Sequence, residues 1–216
     1  MKNDCGAYSM KTELVKFMNE NFYDLWMDIN VRFELGEPYQ NGSEERINQV
    51  NYRVNSIFDF IFDKDEEIYL YIKDPQIESD IMFGNTTPNY LYELLNEFKL
   101  EEDIYIEYDE DYDEAGNTIQ LTREFLVKIL YSRVRNIPYK EILSGIANYE
   151  QGREPSIVQS IYFVSISREI VFYMYDDRGC IAYSKAKENL KPLYTKYNEW
   201  IVNYWREYID SIFKES

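Results

Sequence analysis

The chain contains no histidine in its 216 residues. Histidine is the one side chain whose ordinary pKa lies near neutrality, which makes it the usual proton shuttle and the commonest metal ligand. Its absence excludes Ser-His-Asp triads, Cys-His dyads, histidine-bearing zinc fingers and H-E-x-x-H metal sites. Cysteine is nearly missing as well. Cys5 and Cys180 stand far apart and form no C-x-x-C, so neither a disulfide framework nor a cysteine-rich metal site is expected, and a reducing compartment suits the chain. With 8 glycines and 6 prolines there is no low-complexity linker. Basic residues are also scarce, 23 against 40 acidic ones, for a net charge of −17. A surface of that sign repels phosphate backbones and anionic lipid, so neither nucleic acid nor membrane is an expected partner. A basic protein would be attracted. No run approaches the roughly 18 apolar residues of a membrane span. The opening Met1-Lys2-Asn3-Asp4-Cys5-Gly6 has no apolar signal-peptide core, so the expectation is a soluble cytoplasmic protein.

What is present is apolar and aromatic. Apolar residues make up 45% of the chain, with 22 tyrosines, 12 phenylalanines and 3 tryptophans, enough for a sizeable core. The expected class is α+β: an antiparallel or mixed sheet with packed helices, ending in a long aromatic-rich C-terminal helix. A soft boundary near residue 100 divides an N-terminal α/β subdomain, 1–100, from a C-terminal sheet-plus-helix subdomain, 101–216. One continuous domain is the alternative.

Along the chain, Met10-Lys11 offers a second start, and Thr12 caps a helix expected to run to Trp26 on a stripe of Leu14, Val15, Met18, Phe22, Leu25 and Trp26. Ile29 to Leu35 alternates as a strand. Ser43, followed by Glu44 and Glu45, caps a helix with Ile47, Val50, Val54, Ile57, Phe58 and Ile61 inward. Glu67 to Lys73 reads as a strand, and Thr87-Pro88 opens a helix to Phe98. Ile104 to Tyr108 and Thr118 to Val134 read as strands around a turn, the second with a break near Arg123. A short helix follows Pro138, with Ile142, Leu143, Ile146 and Ala147 inward. Three strands then span Ser160 to Ile166, Glu169 to Tyr175, and Gly179 to Tyr183. The final helix is expected from Asn189 to Phe213, with Leu190, Tyr194, Tyr197, Ile201, Tyr204, Tyr208 and Ile212 as its core stripe.

Residues 101–114 carry nine acidic side chains and no basic one. Arg123, Lys128, Arg133, Arg135 and Lys140 follow as a basic cluster, and pairing across the hairpin would neutralise the two. Asp109, Asp111 and Asp113 have the alternating spacing of a calcium loop. The required glycine is Glu114 and the closing glutamate is Gln120, so no metal site is expected. A solvated hairpin tip explains the run, and Asp109, Glu110, Asp111, Asp113 and Glu114 are the candidate partner-binding residues. The sharpest local motif is Asp176-Asp177-Arg178-Gly179, a turn with an internal ion pair by one reading. By the other reading Asp176, Asp177 and Arg178 are catalytic candidates that could tune an acid or hold a phosphate or metal. Cys180 has no base beside it, and no glycine-rich nucleotide or nucleophile-elbow motif occurs. No cofactor is expected.

The ordered runs Pro138-Tyr139-Lys140-Glu141-Ile142-Leu143, Ile146-Ala147-Asn148, Pro155, Tyr162-Phe163-Val164 and Met174-Tyr175-Asp176-Asp177-Arg178-Gly179 form a signature. It continues through Leu193-Tyr194, Tyr197-Asn198-Glu199-Trp200-Ile201, Ile209-Asp210 and Ile212-Phe213. Upstream, Val31-Arg32-Phe33-Glu34-Leu35-Gly36 and Arg46-Ile47-Asn48-Gln49-Val50 fit the same pattern. The whole resembles the domain-of-unknown-function family DUF3885, found mainly in Gram-positive bacteria, which implies no established activity. Tyr173 stands where the resemblance implies a histidine, Ile181 where it implies an aspartate, and Trp205-Arg206 where it implies Asp-Arg. A catalytic site at those positions in relatives would be compromised here.

The leading functional expectation is a non-enzymatic interaction protein of the immunity type, its acidic face neutralising a basic toxin or nuclease. The charge is concentrated in residues 1–180, with 35 acidic and 17 basic side chains, while 181–216 has 5 and 6. The alternatives are a carboxylate- and metal-dependent enzyme centred on the Asp-Asp-Arg-Gly turn, or a subunit of a larger assembly.

Overall fold

The computed structural model describes residues 10–21, 29–75, 87–112 and 118–214. Its centre is a seven-stranded antiparallel sheet ordered β1-β7-β6-β5-β2-β4-β3. The strands are β1 Asn30–Glu34, β2 Glu67–Lys73, β3 Glu101–Tyr112, β4 Thr118–Arg133, β5 Ser160–Ser165, β6 Ile170–Asp176 and β7 Gly179–Ser184. Six helices accompany them among the described residues: α1 Met10–Asn21, α2 Glu44–Ile61, α3 Tyr90–Leu94, α4 Tyr139–Tyr149, α5 Lys187–Lys196 and α6 Arg206–Phe213. The expected α+β class with an aromatic-rich helical C-terminus is what the chain adopts. Strand β2, from before residue 100, lies between β4 and β5 from after it.

Alternation along the strands sorts the side chains onto two unlike faces. One face carries Val31 and Phe33, Ile68, Leu70 and Ile72, Phe163, Phe172 and Ala182, and is covered by α2, α4, α5 and α6. The other carries Tyr69, Tyr71, Tyr162 and Tyr183 with Val127 and Ile129, packed against Leu14, Phe17 and Met18 of α1. Burial pushes the phenol of Tyr69 up to about 12, and it raises those of Tyr71, Tyr162 and Tyr173 as well. The first face is aliphatic and phenyl. The second is largely phenolic.

Several local expectations match. Ser43 Oγ accepts the Arg46 amide at 3.2 Å, so α2 begins at its cap, and all six of its expected core residues are buried. Others require correction. The span α1 begins at Met10, before Thr12, and buries Phe17 where Val15 was expected; Phe22, Leu25 and Trp26 lie outside the described residues. Helix α3 is only five residues long. Thr87 does not cap it, because the Thr87 hydroxyl accepts the Ser156 amide at 3.0 Å and bonds Glu154. Strand β4 runs unbroken past Arg123.

The largest correction concerns the C-terminal helix, which is not continuous. After α5, 3-10 turns at Asn198–Trp200 and Asn203–Trp205 flank Ile201, which bridges Phe33 of β1, and the Val202 amide donates to the Arg32 carbonyl at 3.0 Å. The β-branched pair Ile201-Val202 thus adds to the edge of the sheet instead of continuing a helix. Arg206 holds the break by donating to the carbonyls of Asn198 and Ile201 at 2.8 and 3.0 Å. The interruption rotates the last segment, so Ile209 and Phe213 are buried where Tyr208 and Ile212 were expected, and Tyr204 is 85% exposed. Asn189 is no cap either: its side chain donates to the Arg168 carbonyl, and α5 begins at Lys187, leaving Pro192 inside it.

Candidate functional site

The Asp-Asp-Arg-Gly turn joins β6 to β7, and its two carboxylates do not share a target. Asp176 accepts the Arg178 amide at 2.7 Å and its Nε at 2.8 Å, closing the turn. Asp177 points the other way, into α2, where its Oδ2 accepts Arg46 Nε at 2.5 Å. Arg46 and Asp177 are 4% and 1% exposed, which makes this a buried ion pair. Arg178 is mostly exposed and reaches Glu150 at 3.4 Å. Burial raises the Glu150 carboxyl pKa, and the neighbouring Asp176 charge raises it further while Arg178 opposes. The hydrogen-bonded Asp176 carboxylate in turn strengthens the proton hold of Arg178.

Arg46 also donates to the Tyr39 carbonyl at 2.9 Å. One and two turns further along α2, Gln49 donates to the carbonyls of Leu35 and Glu37, and Arg53 to that of Glu34 at 3.0 Å. A single stripe of α2 therefore holds the chain leaving β1. Gly36 is needed there, since a Cβ would lie 2.2 Å from the Arg46 guanidinium carbon. Gly179 is needed because a Cβ would stand 2.6 Å from the Phe33 carbonyl. Three stretches of the family signature, 31–36, 46–50 and 176–179, thus meet in one place.

Sequence reasoning singled out Asp176, Asp177 and Arg178, and the structure brings them together as two separate ion pairs, each carboxylate facing its own guanidinium. It missed Arg46, Gly36 and Glu150. One signal was available: a cation in the first turn of a helix opposes the dipole, so Arg46 needed a tertiary partner. Two of the positions that depart from the resemblance are absorbed into packing, since Tyr173 stacks on Tyr162 at 4.3 Å and Ile181 is buried, whereas Trp205 is exposed and the Arg206 beside it staples the C-terminal break. Cys180 is a buried free thiol whose ionisation burial pushes up.

The second candidate region is the β3–β4 hairpin. Asp113 and Glu114 lie outside the described residues, as do the side chains of Asp109, Glu110 and Asp111, whose backbones stand opposite Leu121, Gln120 and Ile119. Much of the basic cluster pairs elsewhere than expected. Lys128 bonds Asp74 at 3.2 Å, Arg133 meets Glu67 at 3.5 Å and Arg135 meets Asp65 at 2.5 Å, all near the ends of β2. Strand β3 ends the sheet, pairing with β4 alone among the described strands. Its residues Ile104, Ile106 and Tyr108 are 61%, 39% and 57% exposed, with Leu126 exposed opposite Ile104. A groove of about 440 Å³ runs between α1 and β3, lined by Val15, Asn19 and Tyr71 and, from β3, by Asp103, Ile104, Tyr105, Ile106 and Tyr108.

No group of three or more acidic or cysteine side chains among the described residues is placed to hold a metal ion. No described helix is long and apolar enough to cross a membrane. No solved structure matches the chain. The uncharacterized protein YnaE of Bacillus subtilis (strain 168) is 30% identical over 81 residues, which cover 35% of this chain and 38% of that protein. The family model described as "Domain of unknown function (DUF3885)" matches residues 14–205, a span containing both candidate regions. The chain belongs to the DUF3885 family.

Proposed function

We propose that this DUF3885 member is a non-enzymatic protein-binding protein whose acidic surface recognises a basic protein, in concrete form an immunity-type protein that neutralises a basic toxin or nuclease. The observation that carries the reading is the acidic run 101–114, nine acidic residues with no basic one among them. Of these, Glu101, Glu102, Asp103 and Glu107 have described side chains on the end strand of the sheet, Asp103 and Glu107 meeting Lys11 and Lys73. The summed field of a chain at −17 steers such a partner towards it. The turn at Asp176 supports the same side, because its carboxylates each engage a guanidinium, and a chain without histidine has few groups that carry protons near neutrality.

The test is affinity capture on the intact protein at low and high salt, with a variant carrying Glu101→Lys, Glu102→Lys and Glu107→Lys as control. Capture of a basic protein that is lost with salt and in the variant supports the reading. Recovery of no basic partner at low salt overturns it.

One observation favours an assembly subunit as the second reading. Tyr204, Trp205 and Tyr208 form an exposed edge-to-face ladder with centroids 5.4 and 6.1 Å apart, a composition typical of binding hot spots. Light scattering that returns the monomer mass at all concentrations would remove self-assembly through it.

A further inference from the structure

We infer that the open edge of β3 docks an extended, basic segment of the partner as an added strand, with apolar residues alternating with lysine or arginine. The inference deepens the basic-partner reading and rests on it. An unpaired sheet edge presents a row of backbone donors and acceptors, and proteins normally blunt such edges with lysine, proline, bulges or a covering segment. Strand β3 has neither lysine nor proline, and its register with β4 continues without a shift from Glu101 to Tyr112. Among the described residues, what guards it is negative charge, with Lys11 at the Glu102 carbonyl and the Asp103 carboxylate at the Ile104 amide.

That guard is selective. A second copy pairing β3 against β3 would set one acidic run against the other, and like charges placed opposite each other destabilise a strand pair. A basic strand meets no such barrier. The chain's own lysines show the preference: Lys11 donates Nζ to the Glu102 carbonyl and lies 3.7 Å from Asp103, and Lys73 reaches Glu107 at 3.3 Å.

The alternation specifies the guest further. Successive side chains of a strand point to opposite faces. Glu101, Asp103 and Glu107 share the face of α1, whereas Ile104, Ile106 and Tyr108 share the other, exposed beside Leu126. A strand added here would therefore place basic side chains on the α1 face and apolar ones on the other. The groove between α1 and β3 is lined by residues of both faces, Asp103 and Tyr105 from one and Ile104 and Ile106 from the other, as a channel along a strand edge must be. Its volume lies within the usual range of binding clefts. Adding a strand is an established mode of peptide capture, main-chain bonds giving affinity and alternate side chains giving specificity.

The experiment is calorimetric titration of the intact protein with an alternating Lys-Val peptide as long as β3, and with the same peptide in which every second valine is proline. Both peptides carry equal charge, and only the first can complete a ladder. The expected result is binding of the first at least about tenfold tighter than the second, the loss of two or more backbone hydrogen bonds. The same preference should vanish in a variant carrying Ile104→Lys and Ile106→Lys, both exposed positions. Equal binding of the two peptides would overturn strand addition while leaving a basic-partner surface standing. No binding of either at low salt would overturn both. A protein that sediments as a dimer, reverting to monomer in the double variant, would assign the edge to a second copy and overturn the inference.

Discussion

At the β1 end of the sheet the chain closes its own edge. Ile201 bridges Phe33, the Val202 amide reaches the Arg32 carbonyl, and Arg53 and Gln49 take the carbonyls of Glu34 and Leu35. At the β3 end, among the described residues, Lys11 reaches the Glu102 carbonyl and the strand's own Asp103 carboxylate takes the Ile104 amide at 2.9 Å. The two ends also differ in charge, since residues 181–216, which seal β1, are near neutral, while β3 lies in the acidic run. An edge sealed by the chain serves stability. Under the basic-partner proposal the charged β3 edge is the recognition surface, because charge keeps identical edges apart while admitting an opposite one.

The comparison breaks first at the closed end. Arg46→Ala leaves Asp177 buried beneath β1 without its partner, and is expected to cost about 3–5 kcal/mol in urea denaturation. A loss below 1 kcal/mol would show that the pair is not holding that end together. Ile201→Ala removes the buried bridge residue and is expected to cost about 2–5 kcal/mol, with raised hydrogen exchange in β1 but not in β3.

Alkaline titration sharpens the contrast between the two sheet faces. Tyr69, Tyr71 and Tyr162 hold their protons to higher pH when folded than the roughly pH 10 of an exposed phenol. The folded state thus binds more protons, so stability is complete below about pH 10 and is lost as pH rises from there through the raised values. Phenolate absorbance of these residues should appear together with loss of circular dichroism. Their ionisation within an intact fold would mean that α1 does not exclude water from that face. The smallest stability effect belongs to the open end: Ile104→Lys, at an exposed edge position, is expected to change stability by no more than about 0.5 kcal/mol.

The elements legible in the sequence were those decided locally. Helix α2 announces itself through Ser43, two first-turn glutamates and an apolar stripe, and β2 and β5 to β7 through alternation and turns. The break after α5 was not legible, because the stripe from Leu190 continues at helical spacing and the competing interaction is a bridge to Phe33 far upstream. The local sign was the β-branched pair Ile201-Val202. The candidate turn was legible as a turn, yet its partner Arg46 lies 131 residues from Asp177. The open edge required the strand order itself. The acidic run marked the hairpin, but only the placement of β3 outside β4 turns the alternation of Ile104, Ile106 and Tyr108 into an exposed edge.

The most direct measurement is residue-resolved amide hydrogen exchange across β3 with and without the alternating Lys-Val peptide. Adding a strand should slow exchange at alternate residues of β3, those whose amides face away from β4, and leave β1 unchanged. Protection that is absent from β3, or that appears equally with the proline-interrupted peptide, would contradict the account of an open edge built for a basic strand.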